Sequence, residues 1–325
     1  MIANSGEYRK KNGQRGYVIM NNFIFENKTK VYFGKGGVKE YLGGLLANSG
    51  ETVMLAYGGG SIKCNGVYDE IMGILNAQGK CVVEFSGIMS NPTYAKVQDG
   101  AKLARENHVD LILAVGGGSV SDCCKVISGA FDTLSHAMET YFGKPDENNL
   151  SDDINEAVMR SVIRNIRILL TDPENYDARS ELARASAMAE NGVLKIGKVT
   201  DFQCHMLEHQ LGAYTNCNHG AGLAVIHPVL YRHIYKSGTA RFARFARFAQ
   251  NVWGIAPKGS DGETAAGIDA LAAFIKEIGL PTTFTELGIP ADTDFRAITD
   301  STNVTAGCCK KLTRDEICEI LQECL

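Results

Sequence analysis

Three short apolar segments, separated by stretches with helical spacing, constrain the fold of this chain more than any other feature. The segments are Thr52–Tyr57, Cys81–Phe85 and Leu111–Val115. Strands that are apolar throughout and alternate with helices are typical of a parallel sheet with both faces covered. The sequence therefore predicts an N-terminal α/β domain, which we place at residues 20–130.

The second part of the chain has no comparable strand signals. Its apolar residues recur with the helical period, which predicts helices over 151–170, 174–193, 200–214, 239–253, 262–278 and 313–324. Ser151–Asp153 and Thr313–Glu316 have the polar and acidic residues typical of helix starts. The segment 240–249 repeats Ala-Arg-Phe, and we expect a packed helix there whose arginine heads extend into water. We therefore predict an all-α domain over residues 131–325.

The first residues of the chain differ in character from the remainder. Residues 1–19 are polar and lack periodicity, and Arg15-Gly16 is what a purine-rich ribosome-binding site would encode if it were translated. We therefore expect residues 1–19 to be a non-native or disordered extension and the natural chain to begin at Met20. Phe23–Phe25 and Lys30–Gly34 have the pattern of two short strands joined by a polar turn.

Composition excludes several classes of protein. The chain has 325 residues, a formal net charge of -4 and a sequence pI near 6.0, so charge gives no reason to expect nucleic-acid binding. It contains no apolar run of membrane-spanning length and no apolar signal segment, and we expect a cytoplasmic protein. The ten cysteines form no regular framework, which favours reduced thiols that serve as small core residues.

A group of histidines and one aspartate has the spacing of metal ligands. Asp132 and His136 are four residues apart, and so are His205 and His209, which places each pair on one face of a helix. His219 follows in an Asn-His-Gly turn. Carboxylate and imidazole groups in this pattern can bind a divalent metal. Taken alone, Asp132 and His136 fit a helix-surface pair better than a metal site.

Two glycine-rich turns follow predicted strands: Gly58-Gly59-Gly60-Ser61 and Gly116-Gly117-Gly118-Ser119. Turns at the carboxyl ends of parallel strands are where open α/β sheets bind ligands, and glycine lets phosphate oxygens approach the backbone N–H groups. Two such turns favour a Rossmann-like dinucleotide site. The first turn has Lys63 close behind it and no acidic residue before Asp69, which favours NADP(H) over NAD(H).

Several motifs, in this order, resemble those of the iron-containing (group III) alcohol dehydrogenases and in particular the NADPH-dependent butanol dehydrogenase branch. They are Phe33-Gly-Lys-Gly36, Tyr57-Gly-Gly-Gly-Ser61, Ser90-Asn-Pro-Thr93, Gly116-Gly-Gly-Ser-Val-Ser-Asp122, Asp132-x3-His136-x2-Glu139, His205-x3-His209-x9-His219-Gly220 and Asn251-Val-Trp-Gly254. The resemblance implies a dehydroquinate synthase-like architecture, with an α/β domain followed by an all-α domain.

The resemblance also implies roles for individual residues. The ligands of Fe²⁺ or Zn²⁺ would be Asp132, His136, His205 and His219, and Glu139 would be a supporting carboxylate. His209 would relay a proton, and Gly117, Gly118, Ser119 and Asp122 would contact the cofactor together with the first glycine turn. The implied reaction moves a hydride between NADP(H) and a short-chain alcohol or aldehyde, in a homodimer.

The sequence departs from the family pattern at one place. In the family, several dozen residues with further strands and a nicotinamide-contacting loop precede the Asp-x3-His helix, whereas here Lys125–Ala130 leads directly into Phe131 and Asp132. We expect a narrower sheet and a less enclosed cofactor pocket. Two other functions stay open: a metal-binding remnant without turnover, and a zinc peptidase in which His205–His209 is an H-x-x-E-H motif.

Overall fold

The structure, a computed structural model, describes residues 24–27, 29–88, 94–116, 123–144, 149–236, 242–256, 262–305 and 309–325. The proposed extension 1–19 and the proposed start Met20 lie outside this part of the chain. Within the described residues, no helix combines the length and the apolar character that crossing a membrane requires.

The three predicted strands form at the predicted bounds: β1 Thr52–Tyr57, β2 Cys81–Phe85 and β3 Leu111–Val115. They make a parallel sheet in the order β2-β1-β3. The helices around them are α1 Gly37–Leu46, α2 Ser61–Cys64, α3 Val67–Ala77 and α4 Tyr94–Glu106. The central position of β1 explains why all its residues after Thr52 are buried. The predicted α/β sheet is confirmed.

One face of the sheet has a compact core and the other does not. Leu46 of α1 and Leu75 of α3 pack with Val53 and Leu55 of β1. Alternate strand residues point to opposite faces, and Ile112 of β3, on the other face, is 60% exposed. The expectation that both faces are covered is therefore wrong at β3. The described strands number three.

The two strands predicted before α1 are absent from the described residues. Ile24–Asn27 and 29–33 have no strand assignment, and Ile24 is 99% exposed, while Phe23 lies outside the described part of the chain. A two-stranded ribbon needs a third strand or a helix against it to be stable. Neither segment pairs with the described sheet, so local strand propensity has no packing to support it.

The rest of the described chain is helical and has its own hydrophobic core. The helices are α5 Cys123–Tyr141, α6 Leu150–Thr171, α7 Tyr176–Glu190, α8 Gln203–Thr215, α9 His219–Lys236, α10 Phe242–Trp253, α11 Gly262–Glu277, α12 Phe295–Ser301 and α13 Arg314–Glu323. The six predicted helices agree with α6, α7, α8, α10, α11 and α13 to within a few residues. The predicted all-α character is confirmed.

The first residues of α6 and α13 show how well local signals in the sequence predicted where helices begin. Thr313 accepts a hydrogen bond from the Glu316 N–H, and the Glu316 side chain accepts one from the Thr313 N–H, which makes a capping box at the predicted start of α13. At α6 the capping side chain belongs to Asn149, which accepts from the Asp152 N–H, so the helix begins earlier than predicted. Acidic residues in both first turns complement the helix dipole.

The Ala-Arg-Phe repeat forms α10, but its arginines do not all reach water. Phe245 and Phe248 are fully buried, as a packed helix requires. Arg244 is buried as well and bonds to Asp152 at the start of α6, which also bonds to Lys198. The expectation of solvated arginine heads is therefore wrong for Arg244, because a buried carboxylate on another helix supplies its partner.

Candidate metal centre

Three helices bring predicted ligands to one point. Asp132 is on α5, His205 is on α8, and His219 is the first residue of α9. Asp132 Oδ1 lies 3.4 Å from His205 Nε2 and 3.4 Å from His219 Nε2. One ligand atom from each of the three residues lies within 4.8 Å of the others. We refer to Asp132, His205 and His219 as the ligand cluster.

Buried carboxylates fix the orientation of both histidines in the ligand cluster. Glu139 accepts a hydrogen bond from Nδ1 of His205 and another, 2.7 Å long, from the backbone N–H of Cys204. Glu208 accepts one from Nδ1 of His219. Carboxylates in this position orient metal-binding imidazoles and make them more basic. Each histidine is thereby held from behind, with Nε2 turned toward Asp132.

Close helix packing places His219 at the cluster. A Cβ atom on Gly220 would lie 2.2 Å from the Ser128 carbonyl oxygen of α5, and one on Gly222 would lie 2.9 Å from Glu208 Cγ. Asn218 accepts a hydrogen bond of 3.0 Å from the Ala221 N–H at the start of α9. The glycines after His219 therefore let α9 approach both α5 and α8.

The cluster fits a divalent cation. Asp132 Oδ1 and His205 Nε2 are buried and have no hydrogen-bond partner in the described structure, which is unusual for buried polar atoms. Ligand atoms about 2.1 Å from a tetrahedral metal lie about 3.4 Å from one another. The measured separations from Asp132 match that spacing. The donor set of carboxylate oxygen and imidazole nitrogen accepts iron or zinc.

Charge in the cluster favours a cation. Burial opposes ionisation of Asp132, but the nearby imidazoles of His205 and His219 hold the pKa of its carboxyl well below its usual range. Burial also opposes protonation of the two histidines, yet Asp132 and the carboxylates behind them raise the pKa of His205 to about 9 and that of His219 to about 10. The carboxylates around His205 and His219 therefore favour positive charge at this point of the structure. A divalent cation bound there would supply that charge.

His136 lies beside the ligand cluster without belonging to it. Its Nε2 is 3.7 Å from Asp132 Oδ1 and 3.0 Å from Glu190 Oε1, and its ring centroid is 4.3 Å from that of His205. Burial and the charge of His205 lower the pKa of His136 to about 4, which keeps the ring neutral and able to bind a metal. No pattern in the sequence singles out Glu190, because its nearness to His136 arises from the packing of α7 on α5.

His209 occupies the outer side of the cluster. Its ring stacks on that of His219 with centroids 5.3 Å apart, and its side chain is exposed. Burial of its inner part, together with the charge of His219, lowers the pKa of His209. A neutral imidazole in this position can exchange protons with water.

The environment of Glu208 does not suit the peptidase alternative. An H-x-x-E-H peptidase needs this glutamate as a free general base next to the metal. Here Glu208 is buried and accepts a hydrogen bond from His219, and Cys217 Sγ lies 3.8 Å from its Oε1. Cys204 and Cys217 are buried free thiols, in agreement with the expected packing role.

The two glycine turns begin side by side at the carboxyl edge of the sheet. Tyr57 and Val115 are register partners on β1 and β3, and Gly58 and Gly116 follow them directly. Gly60 has a φ of 111°, and a Cβ atom on Gly59 or Gly60 would meet nothing within 4 Å. The predicted cofactor residues Ser61 and Gly116 are described, whereas Gly117, Gly118, Ser119 and Asp122 lie outside the described residues.

An acidic residue that sequence reasoning missed lies near the first glycine turn. Glu84 of β2 accepts hydrogen bonds of 2.5 Å from Tyr57 and 2.6 Å from Tyr68, and it lies 3.6 Å from Lys63 Nζ. The hydrogen bond from Tyr57 and then that from Tyr68 lower the pKa of Glu84. Because β2 is adjacent to β1 only in the folded sheet, distance along the sequence concealed this contact.

Comparison with known proteins gives matches over most of the chain. The profile of the Fe-containing alcohol dehydrogenase family, C-terminal, matches residues 126–325, and that of iron-containing alcohol dehydrogenase matches 28–157. A probable NADH-dependent butanol dehydrogenase 2 of Bacillus subtilis is 31% identical over 83% of this chain and 90% of the relative. The NADPH-dependent aldehyde reductase YqhD of Escherichia coli is 27% identical over 83% of this chain and 90% of the relative.

The fold is similar to that of a solved relative. The crystal structure of an NADH-dependent butanol dehydrogenase A from Thermotoga maritima superposes with a TM-score of 0.85 at 27% identity, covering 94% of this chain and 99% of that chain. The alignment with the Bacillus subtilis relative runs over 354 positions although it includes only 83% of this 325-residue chain. Dozens of positions in the relative therefore have no counterpart here.

Proposed function

Since the chain belongs to the iron-containing alcohol dehydrogenase family and is by class an NAD(P)-dependent oxidoreductase, we propose that it transfers a hydride between NADP(H) and a short-chain alcohol or aldehyde. The relatives named as butanol dehydrogenases and as an aldehyde reductase support this substrate class. Assembly as a homodimer in the cytoplasm is part of the same proposal.

The observation that carries the proposal is the ligand cluster with its two unpartnered buried atoms, Asp132 Oδ1 and His205 Nε2. Iron or zinc held by Asp132, His205 and His219, with His136 as a fourth ligand after a small shift of its ring, would supply Lewis-acid polarisation of the substrate oxygen. The carboxylates of Glu139 and Glu208 keep Nδ1 of each histidine occupied, so that only Nε2 is available to the cation.

His209 is the proposed proton relay. Its ring is next to that of His219 and also contacts solvent, so it can carry a proton between bulk water and the substrate oxygen. Its lowered pKa favours the neutral form, which can accept the proton released when an alcohol is oxidised. His136 and His205 are less suitable because both are more deeply enclosed.

The two glycine turns are the proposed site for the cofactor phosphates. Gly58, Gly59, Gly60 and Ser61 would approach one part of the dinucleotide and Gly116, Gly117, Gly118, Ser119 and Asp122 the other. The nicotinamide supplies the hydride chemistry. α5 begins at Cys123 and carries Asp132 nine residues later, so a helix rise of about 14 Å separates these two residues.

Lys63 supports a preference for NADP(H). Its Nζ lies 4.5 Å from the centre of the Tyr68 ring and 5.3 Å from that of Tyr57, on the helix that follows the first glycine turn. The nearby carboxylate of Glu84 already accepts two tyrosine hydroxyl groups and is less available to a ribose 2′-hydroxyl. A lysine at this edge would attract a 2′-phosphate.

Replacing Lys63 with glutamine should therefore reduce catalytic efficiency with NADPH by about 10-fold, since one charge-assisted contact of about 1.4 kcal/mol is lost, and leave efficiency with NADH almost unchanged. Steady-state kinetics with both cofactors measures the change. Lys80→Gln is the matched control, because Lys80 bonds to the Ser49 and Gly50 carbonyl oxygens at the opposite edge of the sheet. Equal loss with both cofactors would contradict a role in selecting NADPH.

A second candidate function is metal binding without turnover. The exposure of Ile112 on β3 and the dozens of positions that lack a counterpart in this chain favour it. In that case the ligand cluster would still bind a cation, while the cofactor site would be too open to hold the nicotinamide near it.

Oxidation of NADPH with butyraldehyde, after addition of Fe²⁺ or Zn²⁺ to metal-free protein, tests the proposal. Turnover that depends on the metal is expected. Metal uptake without NADPH oxidation would support the second candidate, and metal-dependent cleavage of a peptide would support the peptidase.

A further inference from the structure

We propose that Glu190 is a further metal-binding residue of this centre and adds a second carboxylate oxygen to the ligands. This inference rests on the proposed function, since it concerns the same metal ion. Glu190 is the last residue of α7, and no sequence motif marks it. Its position, and the way His136 is held, are the observations that point to it.

The distances are those of neighbouring ligands. Glu190 Oε1 lies 3.0 Å from His136 Nε2, and the same nitrogen lies 3.7 Å from Asp132 Oδ1. Two ligand atoms at a right angle around a metal, each about 2.1 Å from it, are about 3.0 Å apart. His136 Nε2 is thus flanked by two carboxylate oxygens, one from α5 and one from α7.

Glu190 contacts the imidazole of His136 at Nε2, whereas the carboxylates that support His205 and His219 contact those rings at Nδ1. His205 and His219 are held through Nδ1 by Glu139 and Glu208, which leaves Nε2 for the metal. The Nδ1 atom of His136 is buried and has no hydrogen-bond partner in the described structure. The carboxylate that His136 does contact, Glu190, lies at Nε2, on the same side as the ligand cluster.

Glu190 is also free to move toward a metal. Its side chain is 52% exposed, whereas that of His136 is 16% exposed, so the Glu190 side chain has space in which to change its rotamer. Both the His136 ring and the Glu190 side chain would have to shift toward the ligand cluster to bind the same ion. The centre would then have two carboxylates and three imidazoles.

The additional oxygen has a consequence for metal preference. Carboxylate ligands suit Mn²⁺, whereas imidazole ligands suit zinc and iron. Loss of the Glu190 carboxylate should therefore weaken the binding of every divalent ion and weaken Mn²⁺ binding more than Zn²⁺ binding.

The test compares the full-length metal-free wild type with Glu190→Gln and with Glu181→Gln. Glu181 is on the same helix, faces solvent and bonds to Arg184, so its replacement gives the same change in charge away from the site. Affinities for Zn²⁺ and Mn²⁺ are measured by competition with a chromophoric chelator. We expect Glu190→Gln to lower the Zn²⁺ affinity by at least about 10-fold and the Mn²⁺ affinity by more, while Glu181→Gln changes each by less than about twofold.

Circular dichroism checks that both variants are folded, and Glu190→Asp, which keeps a shorter carboxylate, should lose less affinity than Glu190→Gln. Affinities of Glu190→Gln within about twofold of wild type for both ions would overturn the assignment of Glu190. That result is distinct from failure of the proposed function, in which the wild type itself would bind neither ion or would show no metal-dependent NADPH oxidation.

Discussion

Replacing Asp132 with asparagine is expected to lower metal affinity by at least about 100-fold and to abolish metal-dependent NADPH oxidation. The effect should exceed the range of about 10- to 100-fold that is typical for residues that only support ligands. Asp132 Oδ1 is shared by the Nε2 atoms of His205 and His219 at 3.4 Å each, so its charge is the common counter-charge of the cluster. Asparagine keeps the volume of the side chain and removes that charge.

Competition with a chelator measures the affinity, and the oxidation rate with butyraldehyde measures activity. Asp269→Asn is the matched control, because Asp269 on α11 pairs with Arg232 and contributes nothing to the ligand cluster. Both quantities should stay near wild type in the control. Wild-type metal affinity in Asp132→Asn would show that the cluster of Asp132, His205 and His219 is not the metal site.

The largest loss of stability is expected for Asp152→Asn. Asp152 is fully buried at the start of α6 and bonds to Lys198 and to Arg244, both of which are also buried. Removing one partner of a buried ion pair costs about 3–5 kcal/mol, because the opposite charges stay behind in a poorly solvated environment. We expect a decrease of about that size in the free energy of unfolding of the helical part of the chain.

Urea unfolding followed by far-ultraviolet circular dichroism measures this free energy. The neighbouring residue provides the control: Asp153 has a side chain that is 63% exposed and pairs with Arg247, so Asp153→Asn should cost no more than about 1 kcal/mol. Similar losses in the two variants would contradict the importance of the buried ion pairs of Asp152. Loss of stability in Asp152→Asn should leave the affinity of the folded protein for metal unchanged.

The sequence was sufficient for those parts of the fold that depend on local pattern. β1, β2 and β3 form at the predicted bounds because each is an apolar run between turns, and the capping box at Thr313 acts within four residues. Predictions from the sequence were wrong where the structure of a segment depends on a partner far away in the chain. Ile24–Asn27 has strand propensity but no pairing, and Arg244 is buried because Asp152, far away in sequence, meets its charge.

The candidate metal site likewise includes residues that the sequence pattern indicated and residues that it did not. The i,i+4 spacing of Asp132 with His136 and of His205 with His209 was visible in the sequence, and so was the turn that carries His219. The groups that orient or extend the cluster were harder to recognise. Glu139 was expected from the family motif alone, and the roles of Glu208 and Glu190 emerge only when α7, α8 and α9 pack around α5.

A single helix, α5, runs from just after the second glycine turn through Asp132 and His136. The ligand cluster lies entirely within the helical part, which has its own core, whereas the sheet has three described strands and an exposed face at β3. We therefore expect the open face of the sheet to affect cofactor binding more than metal binding.

Anaerobic titration of the metal-free protein with Fe²⁺, with the rate of NADPH oxidation by butyraldehyde as the readout, tests the central claim most directly. The proposed dehydrogenase should show a rate that rises with added metal and reaches a plateau at about one ion per chain. A chelator should then reverse the gain. Saturation of the site with Fe²⁺ while NADPH remains unoxidised would contradict the claim that this chain is an active metal-dependent dehydrogenase.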